Sequence, residues 1–327
     1  MLNAGSPCPY PSFVPPCTRL SRGKPHLLAC SVPSFPSLCA GPSASRGFPD
    51  APGHCHGDLP GSLYVLIYGC CYELSSLCGA RMRKIAFTNA KGGVAKTTTC
   101  VNIGAGLALA GYRTLLIDCD TQGQVSKSLG IQAGEGLAEL VQGDAGLENV
   151  QIEARENLFL IAGGGALSGV KRMISRIDMR SELVLSEALK DLRGYDFVLL
   201  DTAPSWDVLN VNCLFYVEEL LIPVSMEVLA LQGIGDLLGR VKQVQRYRED
   251  LLIRGIIPTF YDGRVSKSAE ILKQLERYFP GAVWPAVRYN VRLSEAPGFG
   301  QHIFEYAKKS NGAADYARLA QRLAKGA

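Results

Sequence analysis

The chain has 327 residues, 47% of them apolar, with 34 Lys+Arg against 30 Asp+Glu. This suits one large α/β domain or two small ones and excludes a chain that is disordered throughout. A net charge of +4 is too small for general polyanion binding, so any basic site must be local, and no run of 18 apolar residues is present to span a membrane.

Residues 1–81 differ from the rest. They hold eight of the eleven cysteines, twelve of the eighteen prolines and three of the four histidines. Leu63–Tyr68 is a short apolar stretch with no strand partner nearby. The segment lacks the basic start and long apolar run of a signal peptide, although few acids and many serines suit a transit peptide. Neither Cys55 with His54 and His56 nor Cys70, Cys71 and Cys78 shows the paired C-x-x-C spacing of a zinc site. At Met82, followed by Arg83-Lys84-Ile85-Ala86-Phe87, the composition changes at once. We expect translation to begin at Met82, with residues 1–81 a disordered or upstream extension and residues 82–327 the folded domain. The later cysteines, Cys100, Cys119 and Cys213, are ordinary for a reduced cytosolic protein.

From Met82 onward, strand candidates are Lys84–Asn89, Thr114–Asp118, Leu158–Ala162, Phe197–Asp201, Leu220–Val224, Gly255–Tyr261 and Val283–Val287. Their near-continuous apolar runs suit strands covered on both faces. Helical stretches alternate with them: Thr98–Ala110, Ser181–Leu192, Leu229–Glu249, Ala269–Tyr278 and Ala313–Lys325. The alternation predicts a doubly wound, mostly parallel sheet flanked by helices, with ligands at the carboxyl ends of the strands.

The first strand runs into Ala90-Lys91-Gly92-Gly93-Val94-Ala95-Lys96-Thr97-Thr98-Thr99, which opens a helix. Glycines let successive N–H groups converge on an anion, and the helix N-terminus adds its dipole. Lys91, Gly92, Gly93, Val94, Ala95, Lys96, Thr97 and Thr98 are the candidate nucleotide-binding residues. Lys96 would reach the β- and γ-phosphates and Thr97 would bind Mg²⁺. The standard G-x-x-x-x-G-K-[ST] pattern fails, because Ala90 and Ala95 stand at its glycine positions. Ala95 is acceptable at negative φ and costly at positive φ.

What matches is K-G-G-V-x-K-T-T, which resembles the deviant Walker A loop of the ParA/MinD family of ATPases. The resemblance covers nearly all of residues 82–327. Asp118-Cys119-Asp120-Thr121-Gln122-Gly123-Gln124 resembles the family's D-x-D-P-Q-G-N, with Thr and Gln replacing Pro and Asn. Leu199-Leu200-Asp201-Thr202-Ala203-Pro204-Ser205 resembles its Walker B segment. Asn290-Val291-Arg292-Leu293-Ser294-Glu295-Ala296-Pro297 resembles the signature of chromosomal, Soj-like ParA proteins.

The resemblance implies ATP and Mg²⁺ as ligands, slow hydrolysis to ADP and phosphate, and an ATP-dependent homodimer. It implies that Lys91 crosses the dimer interface to the partner's phosphates, a catalytic role beside that of Asp120, which would position the attacking water. Thr97, Asp118, Asp120 and Asp201 are the metal-site candidates, with Asp118 and Asp201 in the outer shell. Plainer readings are a solvated lysine and helix-capping aspartates. Arg264 and Arg292 match DNA-contacting positions of Soj-like proteins, against the plainer reading of surface ion pairs. Residues 286–327 carry seven Lys/Arg and three acids, which concentrates positive charge near the end. The helical tail is alanine-rich, without the bulky apolar residues of a membrane-inserting helix. Cys100 and Cys119 do not fit the bridging-cluster ligands of nitrogenase iron-protein relatives. The expected function is a partitioning ATPase that binds DNA non-specifically as the ATP dimer, acts in the cytoplasm on the nucleoid, does not bind membranes, and is released by a ParB-like activator. The alternative is a ParA/MinD-like positioning ATPase for another cargo or a membrane-associated division-site factor.

Overall fold

The computed structural model describes residues 81–227 and 230–326; the expectations for residues 1–80 lie outside them. In chain order the elements are β1 (Arg83–Phe87), α1 (Lys96–Leu109), β2 (Thr114–Cys119), α2 (Gln124–Ser128), α3 (Leu137–Gln142), α4 (Leu147–Val150), β3 (Gln151–Arg155), β4 (Leu158–Ile161), α5 (Leu167–Ile174), α6 (Val184–Ala188), β5 (Phe197–Thr202), α7 (Val208–Tyr216), β6 (Glu219–Ser225), α8 (Ala230–Gln245), β7 (Leu252–Thr259), α9 (Ser266–Tyr278), α10 (Val291–Glu295), α11 (Ile303–Tyr306) and α12 (Asn311–Ala324).

Among the described residues the strands form one seven-stranded sheet in the order β3-β4-β2-β5-β1-β6-β7. All neighbours are parallel except the edge pair β3–β4. The period-2 alternation of strands divides the core in two. Ile85, Phe87, Leu116 and Leu199 face α1 and α12, whereas Ala86, Leu115, Ile117 and Leu200 face α3, α5, α7 and α8. β2 and β5 are buried along their whole length, which is why their sequences read as unbroken apolar runs.

Four elements differ from the sequence expectation. β3 is an edge strand of mixed composition, paired on one side only, so it carries no apolar run. Residues 282–289 lie along β7, with Trp284 N–H donating to Ile256 O (2.8 Å) and Val287 N–H to Pro258 O (2.8 Å). Pro285 has no N–H to give the ladder, and only isolated bridges form, Ile256 with Val283 and Tyr261 with Arg288. The stretch expected as one helix over Ser181–Leu192 is a 3₁₀ turn at Ser181–Leu183 followed by the short α6. α7 went unread although Asp207 caps it, accepting from the N–H groups of Leu209 (3.1 Å) and Asn210 (3.0 Å).

The C-terminal helix spends its apolar stripe inside the protein. Tyr316, Leu319 and Leu323 are fully buried, and the Tyr316 hydroxyl lies 3.1 Å from Thr99 Oγ1 on α1. No described helix is long and apolar enough to cross a membrane.

Candidate active site

Parallel register gathers the acids. Phe87 aligns with Asp201 and Asp201 with Asp118, so both carboxylates end central strands on the edge of the sheet from which the β1–α1 loop springs. Both are almost wholly buried. Asp118 accepts from the N–H groups of Asp120 (2.9 Å) and Val125 (3.0 Å). Asp201 Oδ2 accepts from the Thr97 hydroxyl (2.6 Å), while its Oδ1 is buried with no hydrogen-bond partner. Burial pushes Asp201 up to about 8, helped by repulsion from Asp118 and opposed by Thr97 and Lys96. Burial likewise pushes Asp118 up to about 6, opposed by its two N–H partners. Lys96 is buried, and the loss of water lowers its pKa while Asp201 and Asp120 resist the change. Burial thus favours the neutral forms of these groups until a ligand of opposite charge arrives.

The loop is held open by backbone anchors. Asn89 Nδ2 donates to Pro223 O (2.8 Å), and Asn89 Oδ1 accepts from Lys91 N–H (3.0 Å). Thr259 Oγ1 donates to Val94 O (3.2 Å), and Lys96 Nζ to Lys91 O (3.2 Å). No side chain caps α1, and no acid lies in its first turn. Its first N–H groups therefore remain free to receive an anion. Gly93 and Ala95 both have left-handed backbones, at φ 73° and 63°. Ala95 thus falls on the costly side of the sequence expectation, at about 1 kcal/mol.

An unpartnered buried carboxylate oxygen beside a hydroxyl and an ammonium fits a hydrated divalent cation carried in with phosphates. Among the described residues no cluster of three or more His, Cys, Asp or Glu side chains encloses a metal by itself, and magnesium does not ordinarily need one, since phosphates and water fill most of its shell.

Asp120 sits at the mouth of this site, its Oδ1 accepting from Gln122 N–H (3.1 Å). Lys91 is ion-paired within its own chain to Glu227, just beyond β6. Glu227 escaped sequence reading because its partner lies 136 residues away. A second feature also went unread: a cavity of about 320 Å³ between Gly93, Ala95 and Thr98 on one side and Phe260, Asn290, Leu293 and Pro297 on the other. The Asn290 cap, accepting from Arg292 N–H (3.0 Å), was its available signal.

Arg264 and Arg292 are not at the acids. The Tyr261–Arg288 bridge runs their segments side by side past the end of β7. Arg264 pairs with Asp262 (2.7 Å) and Arg292 with Glu295 (2.8 Å), both in the open.

A family model described as an AAA domain matches residues 82–253. The chain is 39% identical over 246 residues to the chromosome-partitioning ATPase Soj of Thermus thermophilus, covering 75% of this chain and 96% of that one. It is 36% identical over 251 residues to the chromosome partitioning protein ParA of Caulobacter vibrioides, covering 74% and 94%. Among solved structures it resembles cobyrinic acid a,c-diamide synthase from Mycobacterium smegmatis with a bound ATP analogue and magnesium (TM-score 0.66, 31% identity, 75% and 95% covered). It shares its fold with the septum site-determining protein MinD of Pyrococcus horikoshii in complex with Mg-ADP (TM-score 0.61, 23% identity). With these matches running from Met82 through the sheet, and a second lysine opening the phosphate loop, the chain belongs to the ParA/MinD family of deviant Walker A ATPases, among the Soj and ParA partition proteins.

Proposed function

We propose that this chain is a DNA-partitioning ATPase that binds ATP with Mg²⁺, dimerises on it, holds DNA without regard to sequence and lets go after slow hydrolysis. The observation that carries the nucleotide half is the buried Asp201 carboxylate, whose Oδ2 accepts from Thr97 while its Oδ1 has no partner. Lys96 and the α1 N–H groups hold the phosphates, Thr97 and Asp201 order the cation's surroundings, and the 320 Å³ cavity takes the nucleoside. When bound, the cation offsets charge on the β- and γ-phosphates. Asp120 orients the attacking water. Lys91 leaves Glu227 and reaches the partner's phosphates, so the active dimer contains the nucleotide in its interface.

The DNA half rests on the shared edge that carries Arg264 and Arg292. Each side chain can exchange its carboxylate for a phosphate. A ParB-like protein is the expected activator, and the nucleoid in the cytoplasm the expected location. The test is ATP-dependent binding to random duplexes at several salt concentrations, beside anionic liposomes. A DNA-bound dimer should weaken with salt at a log–log slope of roughly −0.9 per phosphate contact. Arg292→Ala, present twice in a dimer, should flatten the slope by about 2. An ATP dimer that ignores DNA but sediments with the liposomes would favour a membrane-associated factor instead.

A further inference from the structure

β4 ends in a glycine turn, Ala162-Gly163-Gly164-Gly165-Ala166, that lies against the turn carrying Asp120. A Cβ at Gly163 would stand 2.5 Å from Asp118 O, 2.8 Å from Asp120 O and 2.9 Å from Asp118 Cγ. Gly164 N–H donates to Asp120 O (3.0 Å), as does Gly123 N–H (3.1 Å). Both lone pairs of that carbonyl are thereby engaged.

The glycine turn is anchored where it leaves β4. On its far side Ala162 O accepts from Leu137 N–H (2.9 Å), and Gly136 packs on the same carbonyl too tightly for any side chain. The Asp120 carboxylate is held only within its own turn, by Gln122 N–H and, at 3.5 Å, the Thr121 hydroxyl. Its aim is therefore set by its backbone, which Asp118 Oδ1 and Gly123 N–H hold from within the turn and Gly163 and Gly164 back from outside it.

We propose that Gly163, with Gly164, is a positioning element for hydrolysis, fixing where the Asp120 carboxylate points. This rests on Asp120 as the water-orienting acid. A methyl group at Gly163 must push the Asp118–Asp120 turn, and displacements well under 1 Å are costly in an oriented reaction, where 1 Å can cost about a hundredfold. The β1–α1 loop and Asp201, which carry nucleotide affinity in the proposed function, are not among the atoms a Cβ at Gly163 would meet, so affinity should survive.

The test uses the full chain, with nucleotide affinity and single-turnover hydrolysis measured for Gly163→Ala, Asp120→Ala, their double variant and Gly165→Ala. A Cβ at Gly165 meets no atom within 4 Å, so that variant should behave as wild type. Gly163→Ala should hydrolyse at least about tenfold slower, with affinity within about threefold, and the double variant should be no slower than Asp120→Ala, because coupled residues are not additive. Unchanged hydrolysis in Gly163→Ala, or losses that multiply in the double variant, would overturn the proposal. If Asp120→Ala hydrolyses normally, the assignment of that carboxylate falls, and this proposal with it; a slow Asp120→Ala beside a normal Gly163→Ala removes the glycine turn alone. Should Gly163→Ala fail to fold, Gly164→Ala reports on the same contact, because its φ of 133° strains a side chain while its Cβ meets nothing. It too should slow hydrolysis without adding to Asp120→Ala, and additivity would again overturn the idea.

Discussion

Asp118 and Asp201 are 0% and 1% exposed, whereas the side chains of Arg264 and Arg292 are 86% and 58% exposed. The acids were taken out of water by the fold itself, on the best-buried strands of the sheet. They answer to a hydroxyl, backbone N–H groups and one buried lysine. The arginines each close on an acid two or three residues away, and water screens the pair. Buried ionisable groups make a site whose energy changes greatly when a ligand arrives; exposed pairs can be exchanged at little cost. On the proposed function, the buried acids are the strong trigger and the exposed arginines the reversible grip.

The largest expected effect lies at the buried end. Lys96→Ala should weaken ATP binding by about a hundredfold or more, in line with roughly 3 kcal/mol for a charge-assisted contact; titration with a fluorescent ATP analogue measures it. Lys91→Ala should bind ATP almost normally yet show no ATP-dependent dimer in sedimentation. Dimers persisting in Lys91→Ala would mean that this lysine does not act across the interface.

Next is a pH effect. The ordinary carboxylate pKa is about 3.9, and Asp201 in the fold is pushed up to about 8. Between those values the native chain holds a proton that the unfolded chain has lost, so stability of the ligand-free protein must fall as pH rises. Asp201→Asn removes the ionisation. Its melting temperature should exceed wild type at pH 8, with a flatter dependence between pH 6 and 8, while stabilisation by Mg-ATP is lost. A wild-type melting temperature that rises over that interval would contradict the buried, uncompensated acid.

Smaller still is Ala95→Gly. Relief of the left-handed strain, less the extra freedom glycine has when unfolded, should leave about 0.5 kcal/mol and raise the melting temperature by roughly 1–2 °C. Ala95→Val, which puts a branched side chain on the same backbone, should move it the other way.

Least disruptive is Asp262→Asn. It frees Arg264 from its carboxylate, so the melting temperature should stay unchanged and DNA affinity rise by about twofold, with an unaltered salt slope. A clear loss of stability would show that the arginine edge is built more like the buried end than its exposure indicates.

The sequence was legible where a signal is local. Continuous apolar runs marked the central strands; Asp118 and Asp201 stood at the ends of two of them, and Lys96-Thr97 followed a third across the glycine loop. Edge geometry was not legible: β3 alternates polar and apolar residues, and Pro285 breaks a run that otherwise looks like a strand. Contacts between distant segments were silent too. Nothing around Gly163 announces that it lies on Asp118 and Asp120, and nothing around Glu227 announces Lys91.

The pair between Lys91 and Glu227 has a kinetic consequence. Within one subunit the lysine is released and recaptured by a first-order process that protein concentration does not alter. In the proposed dimer, docking of two subunits is second order, so the rate at which freed lysines would find partner phosphates rises with the square of local concentration. A subunit diffusing alone would recapture its lysine first; subunits gathered on one stretch of polymer would meet before they did.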